Sequence, residues 1–198
     1  MKVLIIGGNG QLGKSLCNTK PENLDLISYS KEEFNLLDID NCLKKIEKVK
    51  PNYVINAAAY TAVDKAETES ELVEIVNAKN PYKIACSLEN LGGKFIQIST
   101  DFVFNGLKSS PYQTNDELLP LNEYGKSKAL CEKLLVELSN TKIIRTSWLY
   151  SPFGKNFCLT MLRLHKACLD KEVPLRVVSD QISCPTSSFS LSNVCWAM

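Results

Sequence analysis

The most constraining feature of this chain is its opening. A short apolar, β-branched run, Lys2 to Ile6, ends directly on Gly7-Gly8-Asn9-Gly10-Gln11-Leu12-Gly13. An unbroken apolar run of this kind reads as a parallel strand buried on both faces. The G-x-x-G-x-x-G spacing reads as the turn from that strand into a helix. Glycine permits positive φ and lets the backbone approach a ligand, and the third glycine lets helix and strand pack closely. The helix that begins there, Gln11 to Asn18, offers free N–H groups and the positive end of a dipole, which suits a pyrophosphate. A glycine-rich turn alone is equally an ordinary tight turn. The strand in front of it favours a dinucleotide cradle built from Gly7, Gly10, Gln11, Leu12 and Gly13.

The rest of the chain keeps the alternation that this opening demands. Leu24 to Tyr29, Tyr53 to Asn56, Lys94 to Ser99, Lys142 to Thr146 and Leu175 to Val178 read as strands. Asp38 to Val49 has helical spacing, with Leu43, Ile46 and Val49 on one side, and Pro51 stops it. Glu67 to Leu91 reads as a long helical segment with a break near Asn80-Pro81, closed by Gly92-Gly93. Residues 101–119 form a polar loop. Asn122 to Ser139, Asn156 to Leu169 and Ser188 to Met198 read as further helices. Strand alternating with helix predicts an α/β, Rossmann-like doubly wound parallel sheet with helices on both faces. We expect one domain over residues 1–198.

Composition narrows the function. A net charge of +1 gives no electrostatic case for nucleic acid or an anionic membrane as the main partner. The N-terminus has no signal-peptide pattern, and no apolar run approaches the roughly 18–20 residues of a membrane helix. Eight cysteines, at 17, 42, 86, 131, 158, 168, 184 and 195, include no C-x-x-C pair and read as reduced thiols of a cytoplasmic protein. With His165 the only histidine, a His-based metal cluster or a Ser-His-Asp triad is not expected. No metal ligand is assigned.

Tyr124 and Lys128, in Tyr124-Gly125-Lys126-Ser127-Lys128, share one face of a helix. An ammonium beside a phenol favours phenolate and brings the tyrosine toward the working pH. Lysine also reaches ribose hydroxyls. Alone, such a pair is usually packing and solubility; behind the glycine turn it reads as a proton donor and a cation serving a nicotinamide. Ser99-Thr100-Asp101 follows a strand, where ligands of open α/β sheets bind, although these residue types also suit turns. Asp38-Ile39 suits an adenine contact and a helix N-cap equally. No carboxylate ends the second strand, where the sequence is Ser28-Tyr29-Ser30-Lys31, so NADP is permitted beside NAD.

Five blocks go beyond generic features: Asn56 to Glu67, Ser99 to Gly106, Pro120 to Gly125, Arg145 to Tyr150 and Asp180 to Thr186. In this order they resemble the dTDP-4-dehydrorhamnose reductase family of extended short-chain dehydrogenases. The resemblance implies hydride transfer from NADPH or NADH to the C4 ketone of dTDP-4-dehydro-β-L-rhamnose, the last step of dTDP-L-rhamnose synthesis. It implies that Tyr124 donates the proton, Lys128 holds the nicotinamide ribose and Thr100 tunes Tyr124. Asp101 and Trp148 would contact the sugar. Gly10, Gln11 and Leu12 would bind pyrophosphate, Asp38 and Ile39 adenine, and Ala59, Tyr60 and Thr61 the inner cofactor region. The family commonly has histidine where Tyr60 stands. It also implies a homodimer, in some members with magnesium at the interface.

Family members usually run well beyond the end of this chain. The resemblance therefore implies that residues 147–198 only begin the substrate-binding part, with the rest largely missing and apolar surface left exposed. Two other readings of the fold stay open. One is a non-catalytic NADP-binding regulatory protein of the methionine adenosyltransferase β-subunit type; the other is a different nucleotide-sugar reductase or epimerase.

Overall fold

A computed structural model describes residues 1–170 and 173–198. The strands β1 (Lys2–Ile6), β2 (Asp25–Tyr29), β3 (Tyr53–Asn56), β4 (Lys94–Thr100) and β5 (Thr141–Thr146) form one parallel sheet in the order β2-β1-β3-β4-β5. The order reverses direction at β1 and β3, which leaves a crevice at their carboxyl ends.

Each apolar strand feeds two cores, because successive side chains point to opposite faces. Leu4 and Ile6 of β1 face α2 (Ile39–Val49), α5 (Asn80–Asn90) and α6 (Glu123–Leu135), packing with Ile46, Ile84, Leu88, Cys131 and Leu135. Val3 and Ile5 face the other way, with Leu12 and Leu16 of α1 (Gln11–Asn18) and Leu191 and Cys195 of α8 (Ser188–Ala197). The final helix thus completes the second face. It meets α1 along a polar seam: the hydroxyls of Ser15 and Ser188 lie 2.7 Å apart, and Trp196 Nε1 donates to Thr19 Oγ1.

The expected long helix over Glu67–Leu91 is subdivided. After the short α3 (Val63–Ala66), α4 (Ser70–Glu74) runs into a π-helical turn, Ile75–Lys79, before α5 begins. Pro81 sits in the first turn of α5, where its missing N–H costs nothing. The strand expected at Leu175–Val178 does not form. Val177 and Val178 are exposed, and among the described residues no strand pairs with them. The second sheet consists of β6 (Leu149–Tyr150) and β7 (Thr186–Ser187), paired in parallel. The long helix α7 (Phe157–Asp170) has no buried residue; Phe157, Leu162 and Leu169 are exposed on it. Among the described residues no helix is long and apolar enough to cross a membrane.

Candidate active site

A cavity of about 800 Å³ opens at the carboxyl ends of the strands. Its size is that of a cofactor site. Gly7, Gly10, Gln11 and Leu12 line it, as do Lys31 and Leu36, and Thr100, Asp101, Tyr124, Lys128 and Trp148. The sheet order thus brings together motifs that are more than a hundred residues apart in sequence.

The glycine turn takes the conformation that the spacing implies. Gly7 has φ +85°, and a Cβ there would lie 2.9 Å from the backbone nitrogen of Ala58. Gly7 N and Gly8 N both donate to Tyr29 O, which fixes the turn against β2. The side chain of Gln11 turns away from the turn. Its Oε1 accepts from Ser151 Oγ and Asn156 Nδ2, and its Nε2 donates to Lys155 O. Gln11 therefore fastens the glycine turn to the loop between β6 and α7, and Gly154 and Lys155 of that loop line the cavity.

Asn122 starts α6: its Oδ1 caps the helix by accepting from Gly125 N at 2.7 Å. Tyr124 stands edge-on to Phe102 with ring centroids 5.7 Å apart. Lys128 is only 3% exposed and donates from Nζ to Ile98 O at 2.6 Å. Thr100 Oγ1 donates to Asp101 Oδ1 and accepts from Phe102 N. Asp101 Oδ2 in turn accepts from Ser183 Oγ at 2.7 Å. The Asp180–Thr186 block is thereby tied to the site.

Burial drives both halves of the Tyr-Lys pair toward neutrality. It raises the Tyr124 phenol; the hydrogen bond to Thr100 pulls it partly back, and the Asp101 charge raises it further. Burial lowers Lys128, while the charges of Cys131 and Glu132 pull it back up. The expected lowering of the tyrosine by the ammonium does not arise in this arrangement: burial, Thr100 and Asp101 shift the phenol, burial most of all.

Not every predicted residue lines the cavity. Gly13 packs behind the turn, where a Cβ would lie 2.3 Å from Gly7 O. Asp38 and Ile39 are not lining residues; Asp38 Oδ1 caps α2 by accepting from Asn41 N. Ala59, Tyr60 and Thr61 do line it. Tyr60 Oη donates to Glu69 at 2.6 Å, and that bond raises the phenol. Trp148 holds a strained φ of +45°, lies 42% exposed and stacks on Phe157. The magnesium implied at a subunit interface finds no support: among the described residues, no three His, Cys, Asp or Glu side chains are grouped to hold a metal.

Three contributors were missed from sequence. Asn77, buried in the π-helical turn, grips the Tyr60 backbone at both N and O and donates to Ser127 Oγ, which in turn donates to Tyr124 O. Its signal was the polar Asn77 amid the apolar positions of the π turn, a turn type frequent at functional sites. Thr146 lines the cavity, and its Oγ1 is buried with no hydrogen-bond partner among the described residues. Glu132 is 4% exposed and paired with Arg145 at 2.6 Å. Nothing in its sequence neighbourhood distinguishes it from a surface glutamate.

Comparison with known proteins agrees with this geometry. The family model for the RmlD substrate binding domain matches residues 1–198. The chain is 37% identical over 194 residues to a dTDP-4-dehydrorhamnose reductase of Burkholderia thailandensis, covering 98% of this chain and 64% of that relative. It thus spans a little under two thirds of that relative's length. A dTDP-4-dehydrorhamnose reductase structure from Clostridium acetobutylicum superposes with a TM-score of 0.93 at 38% identity, over 100% of this chain and 69% of that one. One from Bacillus anthracis, in complex with NADP, gives a TM-score of 0.92 at 36% identity, over 99% of this chain and 69% of that one. By its fold, its cavity and a family match along its whole length, this chain belongs to the RmlD substrate-binding-domain family.

Proposed function

We propose that the chain carries the cofactor-binding and proton-delivering part of a dTDP-4-dehydrorhamnose reductase. The observation that carries this reading is the convergence of the glycine turn, Thr100, Tyr124 and Lys128 on one cavity. The cavity fits a nicotinamide dinucleotide. The free N–H groups that start α1 suit its pyrophosphate, the apolar walls of Leu36, Leu37 and Val76 suit its adenosine half, and Lys128 lines the same cavity. Lys31 lines the cavity and no carboxylate ends β2, which favours NADPH over NADH.

Bound there, a reduced nicotinamide supplies the hydride. Tyr124 gives its proton to the carbonyl oxygen as that oxygen gains charge. Its raised pKa keeps the hydroxyl protonated at neutral pH, as a donor needs. Lys128 contributes positive charge to the cavity and holds a ribose. Thr100 and Asp101 orient the donor, and Trp148 offers an aromatic wall to the sugar. Residues 147–198 begin the substrate side, and dTDP-4-dehydro-β-L-rhamnose is the substrate.

The test is NADPH oxidation with dTDP-4-dehydrorhamnose, run beside Tyr124→Phe. Turnover that falls about 10²–10⁴-fold in the variant, with NADPH still bound, supports the assignment. Tight NADPH binding without turnover by the parent chain leaves a cofactor-binding fragment or a regulatory relative; a folded chain that does not bind NADPH refutes the reading.

A further inference from the structure

The cavity's catalytic helix carries a second buried charge that the reaction just described does not use. Glu132 lies one helical turn after Lys128, on the same face of α6. The two side chains grip consecutive residues of β4: Lys128 Nζ donates to Ile98 O at 2.6 Å, and Ser99 Oγ donates to Glu132 Oε1 at 2.5 Å. The next residue on that strand is Thr100. Arg145, paired across the sheet with Ser99, donates to Glu132 from Nε at 3.1 Å and from Nη2 at 2.6 Å. Its Nη1 donates to Thr114 O, and its guanidinium lies 5.0 Å from the Phe104 ring centroid. One carboxylate therefore joins the catalytic helix, the end of β4, β5 and the polar loop beyond residue 103.

We propose that Glu132, braced by Arg145, is a positioning residue for Lys128 and for the strand end that carries Thr100. The proposal rests on the reading of Lys128 and Thr100 given above. A brace alone does not need charge, since buried ion pairs are seldom worth more than apolar packing of the same volume. What a carboxylate adds is a negative group one helical turn from a buried ammonium. Cys131 also acts on Lys128, but burial pushes its thiol up to about 11, so it is neutral at working pH. Around Lys128, Tyr124 and Cys131 stand on the same helix, and Ser99, Thr100 and Asp101 at the end of β4. Arg145 comes from β5 behind Glu132. On the segment packed against the helix's other side, Glu74 and Lys79 neutralise each other at 2.7 Å near the surface. Glu132 is the group that opposes the desolvation of Lys128.

Two variants separate this role from a purely structural one, because they break the same brace and leave opposite charges behind. Glu132→Gln leaves the Arg145 cation near Lys128; Arg145→Gln leaves the Glu132 anion. The Lys128 side chain is titrated by NMR in protein labelled with ¹³C-lysine, its signal identified by its loss in Lys128→Arg. We expect Glu132→Gln to move the Lys128 midpoint to lower pH and Arg145→Gln not to lower it. Midpoints that fall together in both variants, or that stay put in Glu132→Gln, overturn the proposal. The double variant Glu132→Gln/Arg145→Met, which leaves no unpaired charge, covers the case in which a single variant fails to fold. Its midpoint falls less than that of Glu132→Gln, and an unchanged midpoint refutes the idea. In turnover, kcat of Glu132→Gln at alkaline pH falls about tenfold, with a smaller change in the KM for NADPH. The titration needs no turnover. A folded chain that binds no NADPH therefore sinks the reductase reading alone, and an unmoved Lys128 midpoint in Glu132→Gln sinks this proposal alone.

Discussion

Substituting alanine at Gly10 and at Gly13 separates what the glycine turn does for the fold from what it does for the ligand. At Gly13 a Cβ would lie 2.3 Å from Gly7 O, 2.6 Å from Gly8 Cα and 2.7 Å from Gly8 C. All three are backbone atoms, so the turn itself must open. Overpacking of this kind costs about 3 kcal/mol, which for a chain of this length lowers Tm by roughly 6–12 °C. At Gly10 the backbone is extended, with φ −73° and ψ 175°, which alanine adopts freely. Its Cβ would meet only Gly7 O, at 3.2 Å, beside the open cavity. The lost freedom of the unfolded chain offsets that contact, so Tm changes by no more than about 2–4 °C. The methyl group instead occupies the approach to the N–H groups that start α1. Loss of one charged hydrogen bond there, worth about 1.5–3 kcal/mol, weakens NADPH binding at least about tenfold. Thermal unfolding together with NADPH fluorescence titration reads both quantities. A Gly10→Ala protein that melts like the parent and binds NADPH equally well refutes the assignment of the pyrophosphate to this turn.

Thr146→Val removes a buried hydroxyl that has no partner, so the free protein should gain about 1 kcal/mol, read as a higher denaturant midpoint; if the ligand uses that hydroxyl, NADPH or substrate affinity falls at the same time. Gln11→Leu cuts three hydrogen bonds to residues 151–156, so amide hydrogen exchange there should rise while exchange in β1 stays slow; unchanged protection in the loop shows that Gln11 is no tether. Reduction needs Tyr124 protonated and Lys128 charged, and burial raises the first and lowers the second. The activity should therefore be lost as pH rises through the Lys128 midpoint, and Lys128→Arg, which stays charged, should extend the rate profile to higher pH.

The sheet and its cofactor turn were legible because they depend on local chemistry. A short apolar, β-branched run that ends on a glycine turn reads as a strand buried on both faces, and the glycines mark a place where the chain must turn tightly. Tyr124 and Lys128 were legible because helical spacing puts them on one face. Asp38 shows the limit of such reasoning: its two readings have the same sequence signature, and in this arrangement its carboxylate is committed to the N-cap of α2. The Leu175–Val178 strand failed for a different reason. Its residues have strand propensity, but propensity without a neighbouring ladder yields exposed irregular chain. Glu132 was invisible because its partner lies thirteen residues away, and Thr146 because its hydroxyl has no partner among the described residues; Asn77 offered only its polarity amid apolar neighbours, its partner Ser127 lying fifty residues away.

The end of β4 shows why the site forms where it does. Four consecutive residues there are held by different parts of the chain. Ile98 O accepts from Lys128, Ser99 donates to Glu132, Thr100 caps the short 3₁₀ turn that follows (Asp101–Val103), and Asp101 accepts from Ser183. The first two bonds come from α6 and the last from the segment before β7. The sheet positions this strand end beside the crevice, but it takes side chains from three elements to orient it. Lys128 and Ser183 thus hold the two ends of the same short stretch, residues 98–101. The polar residues of this strand end are costly to bury and are satisfied only when α6, β5 and the Ser183 loop are all in place. Their mutual satisfaction ties α6, which carries Tyr124 and Lys128, to Ser183.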